Sequence, residues 1–371
     1  MQLPTTWIEL DQSILNRNIA TYKNTLGDAA IMAVVKSNAY GHGLIPVARM
    51  CELSPAIYGF VTAYLSEAIT LRQHGIKKLI LVMGYLDADL DQIINYNIQV
   101  SVVDHVMLAA LQQVAVHHRT PITIHLKIDT GLTRFGFMPD TVVEVARNIV
   151  RNQSFLLQGV CTHFAESGPD DFEYTTVQRT RFFHVIDQLK KNNLVLPLCH
   201  ADKSSTALRY ATCASNGVRI GAGLYGLLPE HGLRPIMTWK SRIAAIRMLT
   251  QDSPLGYAQT YYANMGQKIA FIPIGYYDGY DRRLSNCGMV LVAASSTQGN
   301  EWIPAPVIGR VAMNTVTIDV SHIPTSAIGD EVILLGDHQT IRAWDIAAIT
   351  GGGNPRDVTV RLRADIERVL V

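Results

Sequence analysis

The sequence has few cysteines and no long apolar run, and both absences narrow the class of protein. Five scattered cysteines form no CxxC pair, which predicts reduced thiols in a cytoplasmic protein rather than a disulfide-stabilised one. The sequence contains no run of about 18 apolar residues, which is the length that would predict a membrane span. The stretch MQLPTTWIELDQS has no apolar core of the kind a secretory signal needs. The cysteines are Cys51, Cys161, Cys199, Cys213 and Cys287.

An excess of charge of one sign is also missing. The 32 basic and 31 acidic side chains leave a formal net charge of +1. We therefore expect no electrostatic attraction to nucleic acid or to a membrane surface, and a small molecule as the main partner. A metal site is not predicted, because His322 and His338 have no nearby cysteine partner.

The length of 371 residues favours two domains. From about residue 10 to 230, short apolar runs alternate with helix-like segments such as DTVVEVARNIVRN. Eight strands alternating with helices predict an α/β fold, a (β/α)8 TIM barrel. A doubly wound sheet is the competing fold, but no GxGxxG turn follows the first strand to favour it. The predicted strands are 30–36, 56–62, 77–83, 98–104, 121–129, 155–164, 194–201 and 217–226.

After about residue 232 the pattern changes. Alternating runs such as GMVLVAA and DEVILLGDH are separated by Gly, Pro and Asp turns. They predict a second, mostly antiparallel β domain. The stretch TTWIELDQ near the start also predicts a strand, and SSTQGNEWIPAP is predicted to be a hairpin loop.

One lysine directly follows the first predicted barrel strand. The run AIMAVV ends at Val35, and Lys36 and SNAYGHG come next. That position lies at the C-terminal mouth, where barrels build their active sites. A lysine half-buried there has a lowered pKa and a nucleophilic amine, which suits a Schiff base with a carbonyl cofactor. Position alone also fits a lysine that extends into solvent.

Other polar residues end or follow later strands and form a basic set that needs an anion, such as a phosphate or a carboxylate. Barrels often bind phosphate with the loops after strands 7 and 8, where small residues let backbone N–H groups approach. In this chain those loops hold Ser204 and the stretch 221–223. The full set comprises Lys36, Lys127, Asp129, Arg134, His163, His200, Ser204 and Arg219.

The segments AVVKSNAYGHG, KIDTGLTRFG, GVRIGAGLYG and LGYAQTYYA resemble those of the bacterial alanine racemase family, and the resemblance covers nearly the whole chain. It implies an isomerase that uses pyridoxal 5'-phosphate (PLP) to interconvert L- and D-alanine and that supplies D-alanine for peptidoglycan. It also implies a PLP-binding barrel at 10–232, a discontinuous β domain at 1–9 and 233–371, and a homodimer with composite active sites.

The resemblance assigns roles to single residues. Lys36 would carry PLP and act as one acid/base, and Tyr257 from the other subunit would be the second. Racemisation removes a Cα proton from one face and delivers one to the other, so two opposed groups avoid turning the substrate over. The remaining implied contacts are Tyr40, Ser204, Gly221 and Ala222 for the phosphate, Arg219 with His163 for the ring nitrogen, and Arg134, Tyr276 and Met313 for the substrate.

For Arg219 and Lys127, the implied role also has a physical explanation. A guanidinium at Arg219 donates a hydrogen bond without giving up its proton, so the ring nitrogen stays neutral and reprotonation at Cα is favoured over transamination. Lys127 resembles a lysine that carries a carbamate in some family members, and a carbamate would orient Arg134. The alternative is an unmodified Lys127 bridged by Asp129 or by chloride.

The chain departs from the family pattern at four places: Ala312, Asn314, Lys203 and, by a rough alignment, Ala364, where a tyrosine is usual. These departures leave a serine racemase or a broader racemase open. A related PLP decarboxylase would show a Cys-Asp pair, but Gly follows Cys287. A zinc-dependent lyase would need the missing metal ligands, and a non-catalytic PLP carrier would lack the β domain.

Overall fold

The computed structural model describes residues 5–165, 173–210, 215–228, 230–296 and 299–371. The chain divides into two compact units. The barrel unit comprises Asn16–Ala39 and Val47–Leu224, and the β unit comprises Met1–Leu15, Tyr40–Pro46 and Tyr225–Val371. Strand β1 (Thr6–Leu10) opens the β unit.

Eight parallel strands close a barrel in chain order, and the last of them pairs with the first. The predicted TIM barrel is therefore confirmed. Its strands are mostly buried, as expected where both faces of a parallel sheet are covered, and this explains their near-continuous apolar runs. The strands are β2 (Ala30–Val34), β3 (Ile57–Tyr64), β4 (Leu79–Tyr85), β5 (Gln99–Val102), β6 (Ile122–Lys127), β7 (Phe155–Cys161), β8 (Leu198–Lys203) and β9 (Gly217–Ile220).

Helices alternate with these strands along the chain. In helix α7 (Val142–Arg151), four residues are buried at helical spacing and form an apolar stripe: Val142, Val145, Ala146 and Ile149. The helices are α1 (Gln12–Leu26), α2 (Lys36–Tyr40), α3 (Leu44–Glu52), α4 (Leu65–Gln73), α5 (Asp91–Asn95), α6 (His105–His118), α7 (Val142–Arg151), α8 (Glu173–Lys191) and α9 (Ser204–Arg209).

The β unit is mostly antiparallel, as predicted. Its main sheet has the order β16-β15-β18-β10-β1-β19, in which β1 pairs antiparallel with β10 and parallel with β19. Two short 3₁₀ helices lie at Tyr257–Gln259 and Arg282–Leu284. The other elements are β10 (Met237–Arg242), β11 (Ala245–Met248), β12 (Ser253–Leu255), β13 (Tyr261–Ala263), β14 (Lys268–Ile272), β15 (Met289–Ser296), β16 (Gly299–Pro306), β17 (Val316–Asp319), β18 (Glu331–Leu335), α10 (Ala343–Ile349), α11 (Pro355–Val360) and β19 (Glu367–Leu370).

Three predicted boundaries were wrong. The seventh barrel strand begins at Leu198 rather than 194, directly after Pro197, which has no N–H for a ladder. The eighth ends at Ile220, because the Gly221 N–H turns to a side chain instead of a strand. The predicted hairpin loop is mostly strand, since β15 and β16 pair as far as Ser296 and Gly299. Its prolines are tolerated because β16 is an edge strand.

The described cysteines are all free thiols, and Cys213 lies outside the described residues. Cys51 and Cys161 are buried, Cys199 is partly buried and Cys287 is exposed. Within the described part of the chain, no helix combines the length and apolar character needed to cross a membrane.

Candidate active site

Lys36 directly follows the first barrel strand and begins α2, whose backbone is a strained left-handed turn rather than a regular α-helix. Its side chain is exposed in the single chain, so the expectation of a half-buried lysine was wrong: the buried wall of the strand ends with Val35. The next four residues, 37–40, have φ angles of 54, 54, 50 and 56°, all in the left-handed region. Such a conformation costs roughly 1–2 kcal/mol for each residue with a Cβ, and backbone strain of this kind is concentrated at functional sites.

Ser204 is the centre of a cradle of small residues. Its Oγ accepts hydrogen bonds from Gly221 N at 3.1 Å and Gly223 N at 3.2 Å. Because Oγ accepts twice, its own proton remains to be donated to an outside acceptor. Tyr22 Oη donates to Ser204 O at 3.1 Å, and a Cβ on Gly223 would lie 1.8 Å from that hydroxyl. The structure thus brings the predicted residues Ser204, Gly221 and the buried Ala222 together.

Arg219 is 4% exposed and is held mainly by main-chain oxygens. Its Nη1 donates to His200 O at 2.6 Å and to His200 Nδ1 at 2.7 Å. Its Nη2 donates to Thr162 O at 2.7 Å and Ala201 O at 3.0 Å, while His163 Nδ1 is 3.5 Å away. His200 is therefore a closer partner than the expected His163. Among the described residues, none accepts a hydrogen bond from Arg219 Nε, which leaves this donor for a ligand.

A relay of hydrogen bonds runs from Arg219 across the barrel. His200 Nε2 lies 2.9 Å from His125 Nδ1, and His125 Nε2 lies 2.9 Å from Gln99 Oε1. The direction of the relay is forced, because a guanidinium only donates. His200 must accept at Nδ1 and donate from Nε2, so His125 accepts at Nδ1 and donates from Nε2 to the amide oxygen of Gln99.

The histidines of the mouth are held neutral. Burial, and then the charge of Arg219, lower the pKa of His125 to about 3. Burial and the same guanidinium also hold the pKa values of His200 and His163 well below their ordinary value, with Lys127 adding to the effect. Neutral rings can accept the hydrogen bonds that the relay requires.

Lys127 is 6% exposed at the end of β6. Its pKa is lowered to about 8, mainly by burial and also by the charges of Arg219 and Arg134, while Cys161 and Asp129 act in the opposite direction. An amine with this pKa is partly unprotonated near neutral pH. A neutral amine is the form that reacts with carbon dioxide.

Asp129 does not act as a direct ion-pair partner of Lys127. Its carboxylate accepts from Gly131 N at 2.9 Å, Thr133 N at 3.1 Å and Arg134 N at 3.0 Å. Burial raises the pKa of Asp129, but these backbone hydrogen bonds outweigh it and lower the pKa overall. No salt bridge joins the two residues in the described part of the chain, so Asp129 shapes the loop that carries Arg134.

Among the residues that the structure describes, cations outnumber carboxylates at the mouth. Besides the lysines and arginines already described, Lys203 lies at the end of β8, and its Nζ donates to Phe164 O at 2.9 Å. The buried Asp202 pairs with Arg179 at 2.7 Å. Arg134 is exposed and its guanidinium lies 5.7 Å from the Phe135 ring centre. This excess of positive charge favours an anionic ligand.

The β unit carries the remaining predicted residues. Tyr257 is 70% exposed and lies on a 3₁₀ turn. Tyr276 and Met313 are also exposed, and their loops are joined, since Tyr276 N donates to Ala312 O at 3.1 Å. The centre of the Tyr40 ring lies 5.3 Å from that of the Tyr225 ring. Burial raises the pKa of Tyr40, and the charge of Arg356 opposes this shift.

Sequence reasoning missed four residues that support the mouth: Tyr22, Glu67, Gln99 and His125. His125 had a usable signal, because it lies two residues before Lys127 on the same strand and so faces the same side. Glu67 follows a strand end by three residues, which is the spacing of a helix-capping glutamate. Nothing local marks Tyr22 or Gln99, since their partners are distant in the chain.

Together, the parallel barrel, its cationic mouth and the second β unit define a class of barrel enzyme that holds an anionic group beside a strand-end lysine. Two family models match the chain: "Alanine racemase, N-terminal domain" over residues 10–229 and "Alanine racemase, C-terminal domain" over residues 236–370. The chain therefore belongs to the alanine racemase family, and the resemblance inferred from its motifs is confirmed.

Individual alanine racemases are also similar to this chain over most of its length. The chain is 35% identical to an alanine racemase of Halothermothrix orenii, covering 92% of this chain and 90% of the relative. It is 36% identical to one of Syntrophobacter fumaroxidans, covering 93% and 92%. Among solved structures, an alanine racemase of Clostridium difficile matches with a TM-score of 0.90 at 28% identity, covering 100% of this chain and 97% of that one. One of Streptomyces lavendulae matches with a TM-score of 0.89 at 28% identity, covering 100% and 98%.

Proposed function

We propose that this enzyme is a PLP-dependent racemase that interconverts L- and D-alanine and supplies D-alanine for peptidoglycan. The observation that carries the proposal is the cationic barrel mouth, in which a strand-end lysine, a Ser-Gly cradle and a buried guanidinium occur in a chain of this family. The free cysteines are consistent with a cytoplasmic location.

The residues of the mouth fit PLP. Ser204 and the backbone of Gly221 and Ala222, with Tyr40, would hold the phosphate. Lys36 would bind the cofactor covalently through its exposed amine. Arg219 would donate from Nε to the ring nitrogen, with His163 beside it.

Bound PLP supplies an electron sink for the negative charge that develops at Cα. The protein supplies the proton transfers. Lys36 Nζ and Tyr257 Oη would face opposite sides of Cα: one accepts the Cα proton, and the other donates its own proton to the opposite face. The direction of the reaction decides which group accepts, so each must be able to hold and release a proton.

The buried guanidinium would bias the outcome of the reaction. Arg219 keeps its proton, so a ring nitrogen bonded to it stays neutral. By donating to the ring nitrogen without giving up its proton, Arg219 would limit the electron withdrawal that PLP supplies and would favour return of the proton to Cα. The fixed relay through His200 would hold Arg219 in this donating state.

Arg134 would bind the substrate carboxylate, while Tyr276 and the backbone at Met313 would shape the other end of the substrate site. We further propose that Lys127 is carbamylated: its neutral amine adds to CO2, a C–N bond forms and one proton is released. The resulting anion would orient Arg134. The lowered pKa of Lys127 supports this step. Retention of ¹³C-bicarbonate label on Lys127 would test it, and a Lys127 without label would refute it.

We propose a homodimer in which each active site is composite. The support is that both units expose large aromatic and apolar side chains, which a partner subunit would cover. A two-fold dimer would use the same pair of surfaces twice. The exposed side chains include Tyr64, Tyr85 and Met138 on the barrel unit and Tyr257, Tyr262, Met265 and Met313 on the β unit. We also propose that the chain divides functionally into a PLP-binding barrel at 10–232 and a discontinuous β domain at 1–9 and 233–371.

Mixing two inactive variants tests the composite site. Lys36→Ala and Tyr257→Phe should each lose racemisation by about 100-fold or more, as expected when a general acid/base is removed. Subunit exchange should restore activity to about a quarter of wild type, because half the dimers are mixed and each has one complete site. No recovery despite demonstrated exchange would show that each site is built within one chain.

Chiral analysis of the products from each common L-amino acid tests the reaction itself. We expect D-alanine as the main product. The replacements at Ala312, Asn314, Lys203 and Ala364 make serine the first alternative substrate to examine. Carbon dioxide release would indicate a decarboxylase, and PLP binding without any turnover would indicate a carrier. Borohydride should fix the cofactor to Lys36, and fixation to another lysine would refute the proposed role of Lys36.

A further inference from the structure

Glu67 links the turn after Lys36 to the neighbouring barrel strand. It is the third residue of helix α4, which directly follows β3. Its Oε1 accepts from Ser37 N at 2.6 Å. Its Oε2 accepts from Ala63 N at 2.9 Å and Tyr64 N at 3.2 Å. One carboxylate therefore binds the N–H next to Lys36 and the last two N–H groups of β3.

Lys36 is in consequence held on both sides. On its N-terminal side, Val35 N donates to Val61 O at 2.9 Å, which continues the β2–β3 ladder. On its C-terminal side, Ser37 N donates to Glu67. Both anchors belong to the same neighbouring strand and helix. The backbone of Lys36, and with it the direction of its Cα–Cβ bond, is fixed relative to β3 and α4.

The turn that Glu67 holds is the strained one. Ser37 is the first of four consecutive residues with φ between 50 and 56°. These residues would relax toward ordinary conformations unless the surroundings prevent it. A charged acceptor bonded at 2.6 Å to the first N–H of the turn opposes that relaxation.

The side chain has to be glutamate to make all three bonds. Glutamine has a single acceptor oxygen, and its NH2 would face a backbone N–H, donor against donor. Aspartate is one methylene shorter and would not span the two strand ends. The local role as a helix cap explains only the bond to Tyr64 N. It does not explain the bond to Ser37.

We propose that Glu67 is a positioning residue that sets the amine of Lys36 by holding the left-handed turn before cofactor binds. This inference rests on the proposed role of Lys36. It predicts an ordered Ser37 amide in the protein without PLP. It also predicts that loss of the Glu67 carboxylate slows the capture of PLP by Lys36 rather than only lowering global stability.

Asp87 provides a matched control. Its carboxylate accepts from Ser66 N at 3.0 Å and Ser66 Oγ at 2.7 Å, in the first turn of the same helix. Asp87→Asn therefore weakens the start of α4 without removing a bond to the turn after Lys36. Glu67→Gln removes the charge from that bond and sets an NH2 donor against either the Ser37 N–H or the last N–H groups of β3.

The test begins with hydrogen exchange in the full-length protein freed of PLP. The Ser37 amide of the wild type should be protected although its side chain is exposed. In Glu67→Gln its exchange should be faster by roughly tenfold or more, the scale of a hydrogen bond to a charged acceptor, and in Asp87→Asn it should be unchanged. An unprotected Ser37 amide in the wild type would overturn the inference without requiring any variant to fold.

The second readout is the rate at which added PLP becomes fixable to Lys36 by borohydride. We expect a loss of roughly tenfold in Glu67→Gln and no loss in Asp87→Asn. Equal rates in all three proteins, or equal losses in both variants, would overturn the inference. Fixation of wild-type PLP to another lysine would instead overturn the proposed function, and the exchange result would still stand on its own.

Discussion

Arg219 Nη1 and His200 Nδ1 are 2.7 Å apart, and this bond sets the proton positions on His200 itself and on His125. A guanidinium has no acceptor, so His200 must present a lone pair at Nδ1. Its proton is then on Nε2, and the same arrangement repeats in His125, which donates to Gln99. One arginine thus determines the tautomers of two buried imidazoles.

The first prediction concerns those tautomers. At pH 7 we expect both His200 and His125 to be neutral and protonated at Nε2 only. The ¹⁵N chemical shifts of histidine-labelled protein would report this directly. Replacing Gln99 with Glu should raise the pKa of His125, because an anion would then accept its Nε2 proton. A Nδ1-protonated His200 in the wild type would contradict the forced direction of the relay.

The second prediction follows from the lowered pKa of His125, about 3 in the folded protein. An unfolded histidine titrates near 6.5, so between about 6.5 and 3 the unfolded chain binds more protons than the folded one. Stability should therefore fall as pH falls through this window. Urea unfolding at pH 7 and pH 5 should show a smaller loss in His125→Gln than in the wild type. Equal losses would mean that His125 is not buried in its neutral form.

The barrel could be predicted well from the sequence because each of its strands has a recognisable local pattern of apolar residues. All eight predicted strands occur, since a strand buried on both faces needs a continuous apolar run such as AIMAVV. The strand ends were predicted less well, because they depend on distant partners. Gly221 leaves the sheet to bind Ser204, and no local pattern contains that information.

For the candidate site, the structure bears only on which predicted residues lie together, and their roles stay predictions. Motifs located Lys36, Ser204 and Arg219 in chain order, and the structure places Ser204 beside Gly221 and Arg219 beside His163. Residues that act through the site residues were missed. Tyr22 contacts Ser204 across 182 positions of sequence, and only the closed barrel brings the two together.

The third prediction concerns the close approach at Gly223. A Cβ there would lie 1.8 Å from Tyr22 Oη, which is fixed by its bond to Ser204 O. We expect Gly223→Ala to destabilise the protein by about 1–3 kcal/mol, as overpacking does, and to weaken PLP binding by displacing the cradle. Gly352→Ala is the control, because a Cβ there meets no atom within 4 Å. Similar unfolding midpoints for the two variants would contradict the prediction.

The fourth prediction tests whether Arg219 biases the reaction. Arg219→Glu would place a carboxyl group at the ring nitrogen, where it can share a proton and strengthen the electron sink. Racemisation should slow, and transamination, measured as pyruvate formed per D-alanine, should rise. Arg179→Lys is a control for a disturbance of the surrounding network at unchanged charge, because Arg179 pairs with Asp202 and is not bonded to Arg219. An unchanged product ratio in Arg219→Glu would indicate a structural role only.

The last prediction concerns the cost of burying Lys127. Its folded pKa of about 8 lies below the ordinary 10.5, so below pH 8 the folded protein bears the cost of a buried cation. A tenfold change in proton affinity corresponds to about 1.4 kcal/mol, which puts this cost on the order of 3 kcal/mol. Between about pH 8 and 10.5 the unfolded chain binds more protons, so the cost disappears as pH rises.

Lys127→Met, which keeps a similar shape without the charge, should therefore be more stable than the wild type at pH 7 when PLP and CO2 are both removed. The advantage should shrink toward pH 10, as measured by urea unfolding of both proteins at each pH. Adding bicarbonate at pH 7 should stabilise only the wild type if Lys127 is carbamylated, because only its amine can react. A methionine variant that is less stable than wild type by the same amount at both pH values would show that Lys127 is not buried as a cation.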